Sequence, residues 1–185
     1  MSKLLPLILA PNPLLLEISN PVTKFDSSLK ELLEDMLFTM YLHEGVGLAG
    51  VQVGVLKRVL VMDIDYEEDE DALMHHAKGC GHVHVKNTNP RFFVNPEIIE
   101  FSKENSAFKE GCLSFPDARS EVIRPKKVKV KYFDYEGKEK LEDMEGLMAV
   151  CIQHEIDHLN GITFVDRISK LKKEIIMRKM QKLKS

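Results

Sequence analysis

The segment QHEIDH, residues 153–158, sets two imidazoles four residues apart with a carboxylate beside the first. In a helix, residues four apart lie one turn above each other on one face. His154 and His158 can then share one metal ion, with Glu155 placed to handle a water proton. Leu147, Val150, Cys151, His154 and His158 follow helical spacing and make one stripe, so the histidines extend an apolar, core-facing side. Buried imidazoles need partners, and one ion serves two at once. The plainer alternative is two histidines hydrogen-bonded within a core. The adjoining carboxylate and the apolar stripe favour the metal.

A catalytic metal needs a third protein ligand. One protease arrangement built on this pattern has a glycine three residues after the second histidine and a further histidine three beyond. Here Gly161 fits, but Phe164 cannot ligate. Another uses a downstream glutamate, and the one candidate, Glu174, sits among lysines. Upstream, Cys112 in EGCLSFP offers a thiolate, a strong ligand for zinc or ferrous iron, in a segment constrained by Gly111 and Pro116. Spacing alone ranks Cys112 little above Cys80, because a free cysteine is commonly just a small buried hydrophobe.

The elements that must position these groups can be read in outline. Ser27 or Ser28 can cap a helix whose apolar residues are Leu29, Leu32, Leu33, Met36, Leu37 and Met40, with Gly45 and Gly47 stopping it. A strand follows at about residues 58–64, and strand character returns at 91–95 and near 98–101. Lysines and apolar residues alternate over 127–132, giving a strand with one wet face, and Tyr135 to Gly137 turn it toward 138–141. The histidine helix is expected over about 144–160, capped by Asp143, with Gly161 just past its end. A last helix, about 166–183, and the residues just after it carry Lys170, Lys172, Lys173, Arg178, Lys179, Lys182 and Lys184 against Glu174, with Leu171, Ile175 and Met180 available to pack inward. Residues 66–89 form an acidic run and then a cluster of His75, His76, Cys80, His82 and His84. They read as an inserted surface loop rather than a second metal site. This order predicts an α+β fold: mixed or antiparallel sheets packed around a central metal-binding helix, with an N-terminal and a C-terminal helix.

Composition narrows the setting. The 185 residues suit one domain spanning 1–185, and a net charge of −3 gives no general attraction for DNA or an anionic membrane. Pro6, Pro11 and Pro13 interrupt the apolar N-terminus, which is expected to be mature protein, and no stretch approaches the roughly 18 apolar residues of a membrane helix. Three cysteines make no disulfide framework, which points to a reducing compartment, the cytoplasm.

Three segments together resemble the peptide deformylase family: GVGLAGVQ (residues 45–52), EGCLS (110–114) and QHEIDH (153–158). The resemblance implies removal of the formyl group from the N-terminal formylmethionine of nascent polypeptides. It implies that Cys112, His154 and His158 ligate one divalent metal per chain, with water in the fourth position. That ion is ferrous iron in the cell, with zinc, nickel or cobalt able to replace it. By the same resemblance, Glu155 is the general base and acid, and the Gln52 side-chain amide and the Leu113 backbone N–H face the oxyanion. Val46, Gly47, Glu110, Gly111, Arg119, Val150 and Cys151 are expected around the substrate, and the C-terminal basic helix is expected to contact the ribosome. A zinc endopeptidase, or a structural zinc site closed by Cys80 or His82, are the rival readings. Two features depart from the family: Gly50 and Val51 stand where alanine and proline or threonine are usual, and residues 66–89 are longer than expected. Gly50 adds backbone freedom beside Gln52.

Overall fold

The computed structural model describes residues 2–68, 83 and 85–184. Helix α1 covers Ser27–Leu42. Its cap is Asp26, one residue before the serines favoured by the sequence. The carboxylate accepts from Leu29 N at 3.1 Å and from Ser28 Oγ at 2.6 Å, and a carboxylate is at least as good an acceptor there as a hydroxyl. The chain leaves α1 through Glu44 at φ 56°, so the reversal is made one residue before Gly45.

Nine strands follow among the described residues: β1 (Gly47–Ala49), β2 (Val59–Met62), β3 (Glu67–Glu68), β4 (Val85–Lys86), β5 (Arg91–Phe101), β6 (Asn105–Cys112), β7 (Phe115–Pro125), β8 (Lys127–Phe133) and β9 (Glu139–Glu145). Five make one sheet in the order β1-β2-β5-β8-β9, while β3–β4 and β6–β7 are separate ribbons. Every strand pairing is antiparallel, so of the mixed and antiparallel alternatives the second holds. The two expected strand pieces at 91–95 and 98–101 are one strand. Asn95 takes φ 52° and the register shifts beside it. A bulge of this kind absorbs the irregularity without ending the pairing. Only the ends of the 66–89 stretch are described, as the exposed β3–β4 pair; His75, His76, Cys80, His82 and His84 lie outside the described residues.

Helix α2 covers Gly146–Leu159, not 144–160. Residues 143–145 are used by the β8–β9 ladder, so Asp143 caps nothing and the chain turns into the helix at Gly146, φ 63°. The exit at Gly161, φ 71°, is also tight: a Cβ there would lie 2.3 Å from Leu16 O. The expected C-terminal helix is split. Asp166 accepts from Thr163 N at 2.9 Å, closing a 3-10 turn over Phe164–Arg167, and α3 starts afresh at Lys170–Lys184. Its inward residues are Ile176, Met177 and Met180, whereas Leu171 and Ile175 are 68% and 59% exposed.

Both faces of β2 are covered, which explains its unbroken apolar run. Val59 and Val61 meet Leu29, Leu33, Met36 and Met40 of α1. Leu60 and Met62 meet Ala149, Ile152, Ile156 and Leu159 of α2. A third cluster, with Phe115, Val122, Phe164 and Met180, ties the β6–β7 ribbon to α3. Helix α2 is thus buried from Ala149 to Leu159 on every side. Its histidine-bearing stripe is buried from Val150 to His158, as the sequence suggested, with Cys151 in the core packed on the sheet, and along Leu147, Val150, Cys151 and His154 it also borders a cleft shared with the β6–β7 ribbon.

Candidate active site

Cys112 ends β6, where the ribbon turns back through residues 113–114. His154 and His158 stand one turn apart on α2, with ring centroids 5.0 Å apart. The thiol sulfur and one nitrogen of each ring all lie within 4.8 Å of one another, and Cys112 Sγ is 3.2 Å from His158 Nε2. Tetrahedral zinc–ligand bonds of about 2.0–2.3 Å imply ligand atoms about 3.4–3.6 Å apart. Two imidazoles and a thiol at this spacing therefore fit a borderline-soft divalent ion. A further atom agrees: Glu155 Oε2 is buried and lacks any hydrogen-bond partner among the described residues. Such orphaned groups are costly unless something in the cleft completes them.

His154 is held from behind. Its Nδ1 lies 2.8 Å from Glu110 Oε2, and its ring stacks on Phe164 at 6.3 Å. Glu110 accepts from Arg124 Nε at 2.5 Å and Nη2 at 3.0 Å. Arg124 Nη1 in turn donates to Asp157 at 2.8 Å, and Arg167 pairs with the same Asp157 carboxylate. Burial alone would raise the Glu110 carboxyl, but His154 and Arg124 outweigh it and hold the group at about 2. An ionised Glu110 fixes the proton on Nδ1 and leaves Nε2 facing the sulfur. Beside it, burial pushes the Glu155 carboxyl up to about 7, against the lowering influence of His154.

Gln52 sits on a 3-10 turn, Gly50–Val53. Its Oε1 accepts from Ala49 N at 2.8 Å, which turns Nε2 toward Ser114 Oγ at 3.2 Å and Cys112 Sγ at 3.4 Å. Gly50 is not slack here. A Cβ would lie 2.9 Å from both the Lys57 and Val55 carbonyls, so the returning chain occupies the space a usual alanine would need. Gly47 is similarly constrained: a side chain would meet Glu155 Oε1 at 2.6 Å and Cys151 Sγ at 2.8 Å.

The cleft measures about 660 Å³. Val46, Gly47, Gln52, Glu110, Gly111, Cys112, Leu113, Arg119, Val150, Cys151, His154 and Glu155 border it, so the residues singled out from sequence are gathered in one place, His158 behind them. Glu110 differs from the rest in that its carboxylate is spent on His154 and Arg124. Leu147, named only as part of the helical stripe, also lines the cleft, as do His43, Glu44 and Lys109, which were not singled out. The larger omission is the Arg124–Asp157 support. Its signal was the alternation Ser120, Val122, Arg124 on one face of β7, which places a guanidinium among inward residues. Phe164 packs against His154 and Glu174 is exposed on α3, while Cys80 and His82 lie outside the described residues.

Comparison with known proteins gives one consistent answer. A family model described as polypeptide deformylase matches residues 4–174. A peptide deformylase of Mesorhizobium japonicum is 46% identical over 178 residues, covering 96% of this chain and 92% of that protein. The crystal structure of a peptide deformylase from Ehrlichia chaffeensis superposes with a TM-score of 0.84 at 38% identity, covering 99% of this chain and 98% of the other. One from Legionella pneumophila gives 0.83 at 40% identity, covering 98% and 96%.

Proposed function

This chain belongs to the peptide deformylase family of hydrolases, and from that premise we propose that it removes the formyl group from formylmethionyl nascent chains and releases formate. Residues 1–185 are read as a single deformylase domain in the cytoplasm. Cys112, His154 and His158 would hold one divalent ion, ferrous in the cell. The observation that carries this reading is the convergence of the Cys112 sulfur with two ring nitrogens within 4.8 Å, next to a buried, unpartnered carboxylate oxygen of Glu155.

When bound, the ion supplies Lewis acidity and makes a hydroxide nucleophile available near neutral pH. The chain's own groups do the rest. Glu155, with its carboxyl raised to about 7, is suited both to take the proton of the attacking water and to return it to the leaving amine. Gln52 Nε2 and the Leu113 N–H donate to the oxygen as it gains charge. Losing one such donor typically costs about 10²–10³ in rate. Val46, Leu147, Val150 and Cys151 offer an apolar wall for the methionine side chain, and the absence of a side chain at Gly47 lets backbone approach Glu155. Gly111 and Arg119 lie along the path of the following residues.

Contact with the ribosome through α3 is part of the proposal, since unpaired cations attract an anionic RNA surface. Lys173 is taken up by Asp166 and Lys179 by Asp117, which leaves Lys170, Lys172 and Arg178 without an ion pair among the described residues. Deleting the helix would expose the Met180 core, so charge reversal at these three positions is the cleaner test.

The decisive experiment is anaerobic purification, which protects a thiolate-held ferrous ion from oxidation, followed by metal analysis and formate release from a formyl-Met tripeptide. About one ion per chain and rapid formate release are expected. Glu155→Gln should keep the ion and lose roughly 10²–10⁴ in rate, while Cys112→Ala should lose the ion. A Cys112→Ala protein that keeps its metal, or cleavage of casein at a rate comparable to deformylation, would overturn the reading.

A further inference from the structure

The ribbon that ends at Cys112 also borders a second cleft. It measures about 440 Å³ and lies between β6–β7 and the first turns of α3. Lys109, Arg119, Glu121, Lys172, Ile175 and Ile176 line it. Lys109 and Arg119 line the catalytic cleft too, so the two spaces run into one another. Their positions in the ribbon explain this: Arg119 stands opposite Gly111, and Lys109 opposite Glu121, both close to the Cys112 turn.

The charge in this space is one-sided. Three cations face one carboxylate, and the side chains of Lys109, Arg119 and Lys172 have no ion pair among the described residues. Other lysines of α3 are already occupied, Lys173 by Asp166 and Lys179 by Asp117. Ile175, 59% exposed, supplies an apolar surface beside the cations.

Length fits a peptide that enters from the catalytic cleft. Lys109 precedes Cys112 by three residues on one strand. A strand advances about 3.3 Å per residue, so Lys109 lies about 10 Å along the ribbon. An extended substrate with its formyl group near Cys112 and Glu155 would bring its third or fourth residue there, and its next residues to Lys172.

We infer that this second cleft is a subsite for the downstream part of the formyl peptide, and that it selects acidic side chains at about the fourth and fifth residues, the formylmethionine being the first. The inference rests on the deformylase reading above and adds a substrate preference to it. Complementary charge steers encounter and discriminates between partners more than it adds raw affinity, so the preference should appear in kcat/KM and weaken with salt.

The test compares three substrates: formyl-Met-Ala-Ser, and two hexapeptides extended from it by Glu-Glu-Ala or by Lys-Lys-Ala. The tripeptide is too short to reach Lys172 and serves as the reference for each protein. In the unaltered protein the glutamate hexapeptide should exceed the lysine hexapeptide in kcat/KM by roughly three- to tenfold at low salt. In Lys172→Glu that ratio should fall to about one or invert. Equal values for the two hexapeptides in the unaltered protein, or a ratio that survives Lys172→Glu, overturns the inference. Loss of ribosome binding in Lys172→Glu with an unchanged peptide ratio overturns it as well and assigns the cations to RNA. Failure of the tripeptide itself to release formate is a different result, because it removes the deformylase reading.

Discussion

Two of the regions where carboxylates meet cations make a contrast, one behind α2 and one on the outer face of β8 and β9. Behind α2, Glu110, Arg124, Asp157 and Arg167 form three ionic links in series, and Arg124 is only 2% exposed. On the outer sheet face, Lys127 pairs with Glu145 at 2.6 Å, Lys131 with Glu139 at 2.9 Å, and Lys129 lies between Glu100 and Asp143 at 3.4 and 3.7 Å. The chemistry is the same and the surroundings are opposite. Water solvates the outer pairs whether or not they meet. The inner groups must shed their water first, and the attraction regained often only balances that cost. An assembly that gains little stability over apolar packing is better explained by what it holds, and the inner one holds the His154 ring through Glu110.

The largest effect should come from breaking the inner assembly at its centre. Arg124→Met leaves Glu110 and Asp157 as buried carboxylates with reduced pairing, and should cost about 3–5 kcal/mol in denaturant unfolding. Replacing Glu110, Arg124 and Asp157 together by apolar residues of similar size should recover much of that loss. It should not recover metal retention. If the triple variant holds its ion as tightly as the unaltered protein, the positioning argument fails. Glu110→Gln comes next. It keeps a hydrogen-bond acceptor for His154 but removes the charge that fixes the proton on Nδ1. Metal retention against a chelator should drop about 10–100-fold, the usual consequence of losing such a partner.

The two assemblies were not equally visible in the sequence. The outer one follows from alternation over 127–132, which shows a wet strand face with lysines on it. The histidine pair and Glu155 were visible because helical spacing is local. Cys112 was not, since its meeting with α2 is made by a ribbon turn some 40 residues away, and spacing left it level with Cys80; only the joint presence of three motifs lifted it. Helix boundaries slipped where a tertiary partner competes for the same residues, as at 143–145, which the β8–β9 ladder takes from α2. Arg124 and Asp157 were hidden because charge in a sequence is read as surface, and only the folded chain shows both to be enclosed.

An intermediate case lies between the two regions. Arg91 pairs with Glu142, with side chains 22% and 37% exposed, and Tyr132 Oη donates to the same carboxylate at 3.1 Å. Burial would raise the Glu142 carboxyl, but Arg91 outweighs it and the group sits below its ordinary value of 4.5. A lowered folded-state value means that the contribution to stability is complete above the unfolded value and disappears as acid passes the folded one. Glu142→Gln should therefore cost roughly 0.5–1 kcal/mol at pH 7. The difference from the unaltered protein should begin to shrink near pH 4.5 and vanish below it. A difference that persists undiminished at pH 3 would assign the effect to packing against Tyr132 rather than to charge.

The smallest effect belongs to the outer ladder, and there the prediction is close to nothing. Lys131 and Glu139 lie 2.9 Å apart, nearly as close as Arg124 and Asp157 at 2.8 Å, yet their side chains are 44% and 56% exposed. Each is hydrated in the unfolded chain and nearly as well hydrated when folded, and holding two long side chains together costs rotamer freedom. Lys131→Ala should leave the denaturation midpoint unchanged within measurement, at low salt and at 1 M alike, because a pair already worth little has little for salt to screen. A clear loss at low salt that salt removes would show that the ladder acts as a network. The contrast with Arg124 would then rest on degree of burial alone, with no difference in purpose between the two regions.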